Sequence, residues 1–275
     1  MAVGHQPTVT TGSATRPSSN LFKFGVLRLS RVALGSEGWH QVMFARIGFF
    51  HFAENYHEPF RSLDEALSEQ GDVGDSLVVL PEAFNNGKAY YDQPRMRPAF
   101  ARLQAVEELV RIATKHSVAF VAGLLDPPLS SAYWIDSSGG RLLHHKTSDD
   151  HTGNYEPCIS NCDFHNPSDI DGMRVGVLIC NDIEFHVKGM MAELDERTDV
   201  RRILCIPACM GDQWFGTGEL SYDYWHGKYV ILANSNAHGC GSFVSNAKGQ
   251  REMFVGQRNS ALLRTYDELD RRQTT

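Results

Sequence analysis

Glu82, Lys146 and Cys180 are the residues of this 275-residue chain whose types and placing suit covalent chemistry. A thiol is a nucleophile, and a carboxylate and an ammonium are the partners that move its proton and offset its charge. Each follows an apolar or hairpin segment. Glu82 comes after Leu77-Val78-Val79-Leu80 through Pro81, Lys146 ends Arg141 to His145, and Cys180 ends Val175 to Ile179. In open α/β sheets reactive groups gather just beyond the carboxyl ends of strands. A cysteine where a strand turns into a helix is expected to be exposed and near the helix's positive end, with a lowered thiol pKa. Taken singly, each has a plainer reading as a small core residue, a loop acid or a solvated charge. It is their joint placing that carries weight.

The elements that must position them alternate between strand-like and helix-like segments from about residue 41, the pattern of an α/β domain. Val42 to Phe50 is an apolar run with β-formers. In Glu58 to Gln70, Phe60, Leu63 and Leu67 recur at helical spacing and Gly71 is placed to cap the end. Leu77 to Leu80 and Val118 to Leu124 lack alternation, as expected of strands buried on both faces. Pro98 is expected to open a helix with Phe100, Leu103, Val106, Leu109 and Ala113 along one side. Ala132 to Ile135 and Arg141 to His144 flank Ser137-Ser138-Gly139-Gly140 and predict a hairpin. A polar passage, Thr147 to Asp171, has little periodicity, and loops of that length tend to be functional. Val175 to Ile179, a helix over Glu184 to Arg197, strands over Ile203 to Ile206 and Val230 to Ala233, and a closing hairpin about Ala247-Lys248-Gly249-Gln250 complete one domain.

These segments resemble the nitrilase, or carbon–nitrogen hydrolase, superfamily. The resemblance is carried by Leu80-Pro81-Glu82-Ala83-Phe84, by His144-His145-Lys146-Thr147, and by Gly176-Val177-Leu178-Ile179-Cys180-Asn181-Asp182. It continues through Pro207-Ala208, Tyr229 to Asn234 and Ser245 to Gly249, and covers roughly residues 41 to 266. It implies a four-layer α–β–β–α sandwich and pairing through helical faces into a homodimer or higher homo-oligomer. It also implies an amidohydrolase with a Glu-Lys-Cys triad and no cofactor or metal. Cys180 would attack a carbonyl after Glu82 takes its proton, and the oxyanion would sit between Lys146 and the Asn181 N–H. Glu156 stands where many members place a second glutamate, to orient Lys146 or assist the base. Phe84, Tyr155 and Trp214 are expected to line the pocket.

Cys-Asn-Asp looks like the amidase and carbamoyl-amino-acid hydrolase side of the family, since true nitrilases usually carry Trp-Glu after the cysteine. Ile183-Glu184 stands where the carbamoyl hydrolases often have Arg, which disfavours that substrate. The expectation is cleavage of a non-peptide amide through a thioester, releasing an acid and ammonia or an amine. A nitrilase, a carbamoyl-amino-acid hydrolase and a catalytically silent scaffold of the same fold are the alternatives. Asp182 is expected to be a structural turn residue, because its side chain can bond nearby backbone N–H groups.

Composition narrows the partners. Apolar residues are 42% and charged residues 21%, an ordinary globular balance. A net charge of −7 argues against nucleic-acid binding. There is no apolar stretch of the length a membrane helix requires. Cys158, Cys162, Cys180, Cys205, Cys209 and Cys240 read as reduced thiols of a cytoplasmic protein. Two C-x3-C pairs with His165 nearby leave a zinc-dependent hydrolase as a rival, on a weaker signal than C-x2-C. Residues 1–36 contain no Asp or Glu. Residues 1–40 are accordingly expected to be an extension outside the 41–275 hydrolase domain. They would be a disordered tail, the product of a start placed before Met43, or an organelle transit peptide.

Overall fold

Four apolar runs set the architecture by dividing their side chains between two faces. Ile47 and Phe49, Leu77 and Val79, Ala119 and Val121, and Ala132 and Trp134 join one buried cluster. Their neighbours Phe50, Val78 and Leu80, Phe120 and Ala122, and Tyr133 and Ile135 join another. Successive side chains of a strand point to opposite faces, so runs without polar alternation must be covered on both.

The computed structural model describes residues 44–52, 58–86, 100–127, 129–148, 166–209, 225–235, 241–254 and 258–271. In chain order the elements are β1 (Arg46–His51), α1 (Pro59–Glu69), β2 (Ser76–Leu80), a 3₁₀ turn (Phe84–Asn86), α2 (Arg102–His116), β3 (Val118–Asp126), β4 (Leu129–Asp136) and β5 (Gly139–His145). There follow β6 (Ser168–Ile170), β7 (Met173–Val177), α3 (Asp182–Asp195), β8 (Arg201–Ala208), β9 (Tyr229–Asn234), β10 (Ser242–Ser245), β11 (Arg251–Phe254), β12 (Ser260–Thr265) and α4 (Tyr266–Asp270).

The strands form two six-stranded sheets, ordered β12-β1-β2-β3-β4-β5 and β11-β10-β9-β8-β7-β6. Each has three parallel central strands, β1-β2-β3 in one and β7-β8-β9 in the other, with antiparallel neighbours outside. The cluster holding Phe49 and Val79 also holds Val175, Val177, Ile203 and Ile231, and so joins the two sheets. On the outer face of the first sheet, α1 contributes Phe60, Leu63 and Leu67, and α2 contributes Ala105, Leu109 and Ile112. Against the second sheet, α3 lays Val187, Met190 and Leu194, and a Cβ on Gly176 would come 2.6 Å from Met190 Sδ. The result is the expected α–β–β–α sandwich. Among the described residues, no helix is long and apolar enough to cross a membrane.

Several boundaries differ from the sequence reading. Pro98 lies outside the described residues, and α2 begins at Arg102. Leu103 was expected on the buried side of α2 and is 63% exposed. At about 100° per residue it stands roughly 200° from the buried Ala105, on the far side of the helix. The strand expected to run to Ile179 ends at Val177. The polar passage from Thr147 contains the short strand β6, paired antiparallel with β7. α1 opens on Pro59 and is followed by Gly71 at φ +78°, which accords with the capping role expected of that glycine.

Candidate functional site

Glu82 and Cys180 leave their strands through sharp turns. Glu82 is followed by Ala83 at φ +56°, and Cys180 itself sits at φ +49°. Both angles lie in the left-handed region, which L residues adopt at a cost of order 1 kcal/mol. Ladder-like bonds hold the turns: Leu178 N–H donates to Cys205 O at 3.1 Å and Cys180 N–H to Pro207 O at 2.9 Å. Glu82 N–H donates to Ala208 O at 3.4 Å. A glycine is required beneath, because a Cβ on Gly123 would lie 2.8 Å from Glu82 Cα and 2.9 Å from Pro207 Cβ.

Lys146 follows β5, and its N–H donates to Ser130 O at 2.8 Å. Its ammonium donates to Glu82 Oε1 at 2.9 Å, and the Ser130 hydroxyl reaches the same oxygen at 3.3 Å. Both ionic side chains are almost wholly buried, at 1% and 0% exposure. Such a pair survives burial only because each charge has its partner. Glu82 Oε2, also buried, has no hydrogen-bond partner among the described residues. A carboxylate oxygen left bare inside a protein is costly and is commonly found where chemistry needs an acceptor.

Cys180 departs from expectation in its environment. It is 8% exposed rather than open, and its thiol donates to Cys209 O at 3.6 Å. Burial, and then the charge of Glu82, push its pKa well above the usual range, against a smaller lowering by Lys146. Desolvation outweighs the helix end here and disfavours the thiolate. These electrostatic couplings also show that Glu82, Lys146 and Cys180 share one site.

Asp182, at the start of α3, is the structural turn residue expected, and more. Its carboxylate is 0% exposed and accepts from Ile179 N–H at 3.1 Å, Thr147 N–H at 3.0 Å and Ser148 N–H at 2.8 Å. His144 Nε2 lies 3.1 Å from Oδ2, the oxygen that also accepts Ile179 N–H. Burial would raise the Asp182 pKa, but the His144 bond and charge, the Ser148 bond and the Lys146 charge together hold it down at about 2. His144 was missed by sequence reading. The available signal was its position two residues before Lys146, near the end of β5.

Phe84, expected in the pocket, packs into the outer core. Its side chain is fully buried, stacked 4.9 Å from Phe52 and edge-on to Phe60 at 5.4 Å. The 3₁₀ turn after Ala83 directs it into the outer core. Asn181 is partly buried and precedes α3. Glu156, Tyr155, Trp214, Cys158, Cys162, His165, Cys240 and residues 1–43 lie outside the described residues. Cys205 is buried within β8, and Cys209 follows that strand, receiving the Ser235 hydroxyl at 2.9 Å. Among the described residues no three His, Cys, Asp or Glu side chains group to hold a metal.

A family model described as carbon-nitrogen hydrolase matches residues 50–263. Among curated proteins, none matches the chain. Among solved structures, a mutant of the Nesterenkonia AN1 amidase from the nitrilase superfamily is 20% identical, covers 84% of this chain and 95% of that one, and superposes with a TM-score of 0.58. A double mutant of the Nesterenkonia sp. AN1 amidase in complex with acrylamide gives 20% identity, 87% and 97% coverage, and a TM-score of 0.58. Another mutant of that amidase shows covalent addition of the acetamide moiety of fluoroacetamide at its active site cysteine. It is 21% identical, with 84% and 95% coverage and a TM-score of 0.56. At this identity the likeness is one of fold.

Proposed function

The chain belongs to the carbon–nitrogen hydrolase family, and on that premise we propose that it hydrolyses a small, non-peptide amide through a thioester on Cys180. The observation that carries this reading is the buried Glu82 Oε2, without a hydrogen-bond partner among the described residues, beside the buried Cys180. A thiol whose ionisation is disfavoured by burial is activated by a base at hand.

In the first half-reaction the sulfur bonds to the amide carbon as its proton passes to Glu82. Lys146 and the Asn181 N–H stabilise the oxyanion, preorganised in a site shielded from water. Glu82 then gives its proton to the leaving nitrogen, the C–N bond breaks, and ammonia or an amine departs. Water attacks the thioester, surrendering a proton to Glu82. The C–S bond breaks, the acid leaves, and the sulfur recovers the proton. Glu156 is proposed to orient Lys146 or assist the base, and Tyr155 to line the substrate pocket. The acrylamide bound by the double mutant of the Nesterenkonia amidase supports a small substrate of this class.

Self-association through helical faces belongs to the same proposal. Leu103 and Phe185, 63% and 62% exposed on α2 and α3, support it by offering apolar surface on the outer helical layers. Light scattering of the full chain tests it, and a monomer at micromolar concentration would remove it.

The decisive experiment measures ammonia release from simple amides, carbamoyl amino acids and nitriles, with Cys180→Ala run in parallel. Release from amides that vanishes in the variant is the expected result. Preference for nitriles or carbamoyl compounds would move the protein to another branch. Silence across the panel would favour a scaffold that lost the reaction.

A further inference from the structure

Lys146 and Cys180 stand on different sheets, Lys146 after β5 at the edge of the first and Cys180 after β7 in the second. Ladder hydrogen bonds run within a sheet, so none of them fixes one residue against the other. The Asp182 carboxylate spans that gap. Its Oδ1 accepts Thr147 N–H, the Thr147 hydroxyl at 3.1 Å and Ser148 N–H, all beside Lys146. Its Oδ2 accepts Ile179 N–H beside Cys180 and meets His144 Nε2. We propose that Asp182 and His144 are positioning residues that set the separation of Lys146 from Cys180, so that His144 governs the rate without touching a reacting atom. This rests on the reading of Lys146 and Cys180 as the reacting pair.

The carboxylate is saturated. Two oxygens offer about four lone-pair directions, and five donors converge on them. It cannot rotate without abandoning a backbone N–H that is buried with it, which would leave that group unpaired at a cost of about 1–3 kcal/mol. His144 supplies the donor that closes the set. It stands two residues before Lys146 near the end of β5, and its ring is 7% exposed. With His144 absent, Asp182 Oδ2 would lose one of its donors, and the Lys146 ammonium is the nearby group able to replace it. His144 thus leaves Lys146 to Glu82 and to the reacting carbonyl. A purely structural role would lower stability and leave the turnover of folded molecules unchanged. A positioning role changes turnover itself, because misplacement by about 1 Å can cost on the order of a hundredfold in rate.

The test compares the full chain with His144→Leu, His144→Gln and Asp182→Asn, each confirmed as folded by thermal denaturation. The readings are kcat and KM on the preferred amide and the rate of Cys180 alkylation by iodoacetamide. In His144→Leu and Asp182→Asn, kcat should fall about tenfold to a hundredfold while KM stays within about twofold, and the alkylation rate should change. The glutamine amide presents an N–H where Nε2 stood, so His144→Gln should restore most of both. Unchanged kcat in His144→Leu, or equal damage from Leu and Gln, would overturn the proposal. If Asp182→Asn fails to fold, the two His144 variants decide alone. If the parent chain turns over no amide, the functional reading fails first. Alkylation rates identical across the folded variants would then overturn the positioning role independently.

Discussion

Glu82 and Cys180 donate their backbone N–H groups to consecutive carbonyls at the end of β8, Glu82 to Ala208 at 3.4 Å and Cys180 to Pro207 at 2.9 Å. Although Glu82 follows β2 of the first sheet, it is therefore anchored on the second. One short piece of backbone, Pro207-Ala208, is the common reference for base and nucleophile. Hydrogen bonds to rigid strand ends hold a site more precisely than loop contacts do.

Gly123 tests this anchoring from below. Gly123→Ala would press a methyl group against Glu82 Cα and Pro207 Cβ, both backbone-fixed. Overpacking of this kind costs about 1–3 kcal/mol and shifts whatever gives way. Amide turnover should fall further than the change in melting temperature alone explains. A variant with normal kcat would show that Glu82 tolerates displacement.

The Lys146–Glu82 pair predicts unequal effects from its two halves. Lys146→Met leaves a carboxylate buried without its cation, which should destabilise the fold by about 3–5 kcal/mol and also remove the oxyanion donor. Glu82→Gln keeps an acceptor for the ammonium and removes the base. It should retain most of the melting temperature and lose about 10²–10⁴ in kcat. Calorimetry beside ammonia release separates the two, and a Glu82→Gln variant with ordinary turnover would exclude Glu82 as the base.

The thiol of Cys180 should not behave as an activated cysteine in isolation. Burial and the Glu82 charge raise its pKa. Alkylation should therefore lag behind that of an ordinary cysteine at pH 8.5 and rise only at higher pH. In Glu82→Gln the rise should move to lower pH, since a negative neighbour is gone. Fast alkylation near neutral pH in the parent chain would contradict this.

Acid stability should follow Asp182. Its folded pKa of about 2 lies below the ordinary value of 3.8, so its contribution is fully present above pH 4 and disappears as pH falls toward 2. The shift corresponds to roughly 2–3 kcal/mol by linkage. Urea titrations between pH 2 and pH 6 measure it, and Asp182→Asn should flatten that part of the curve. An unaltered slope in the variant would assign the acid lability to other carboxylates.

The sequence made the three candidate reactive residues legible because each ends a run whose character is local: apolar for Glu82 and Cys180, a hairpin for Lys146. The doubly covered strands were legible for the same reason, since Leu77 to Leu80 shows no polar face. What could not be read was contact between distant segments. The His144–Asp182 bond joins residues 38 apart in sequence and on different sheets, with no periodicity to announce it. Phe84 was expected in the pocket as a loop aromatic, but it packs against Phe52 and Phe60 of the outer core. The strand–turn boundary raised the expectation of an exposed thiol at Cys180, and only packing reveals that it is covered. The closing hairpin about Ala247 to Gln250 is β10 and β11, whereas β12 escaped notice because Arg264 interrupts its apolar pattern, and in the fold that charge pairs with Glu252.

The backbone angle at Cys180 has a consequence for how this position is kept. At φ +49° glycine would sit without strain, so the residue that suits the turn and the residue that suits chemistry are different ones. Mutational drift judged on foldedness alone would favour Gly at 180 by about 1 kcal/mol over other side chains. A thiol stands there although glycine would suit the turn better. Cys180→Gly should thus be the rare inactivating change that leaves the protein harder to unfold than Cys180→Ala does.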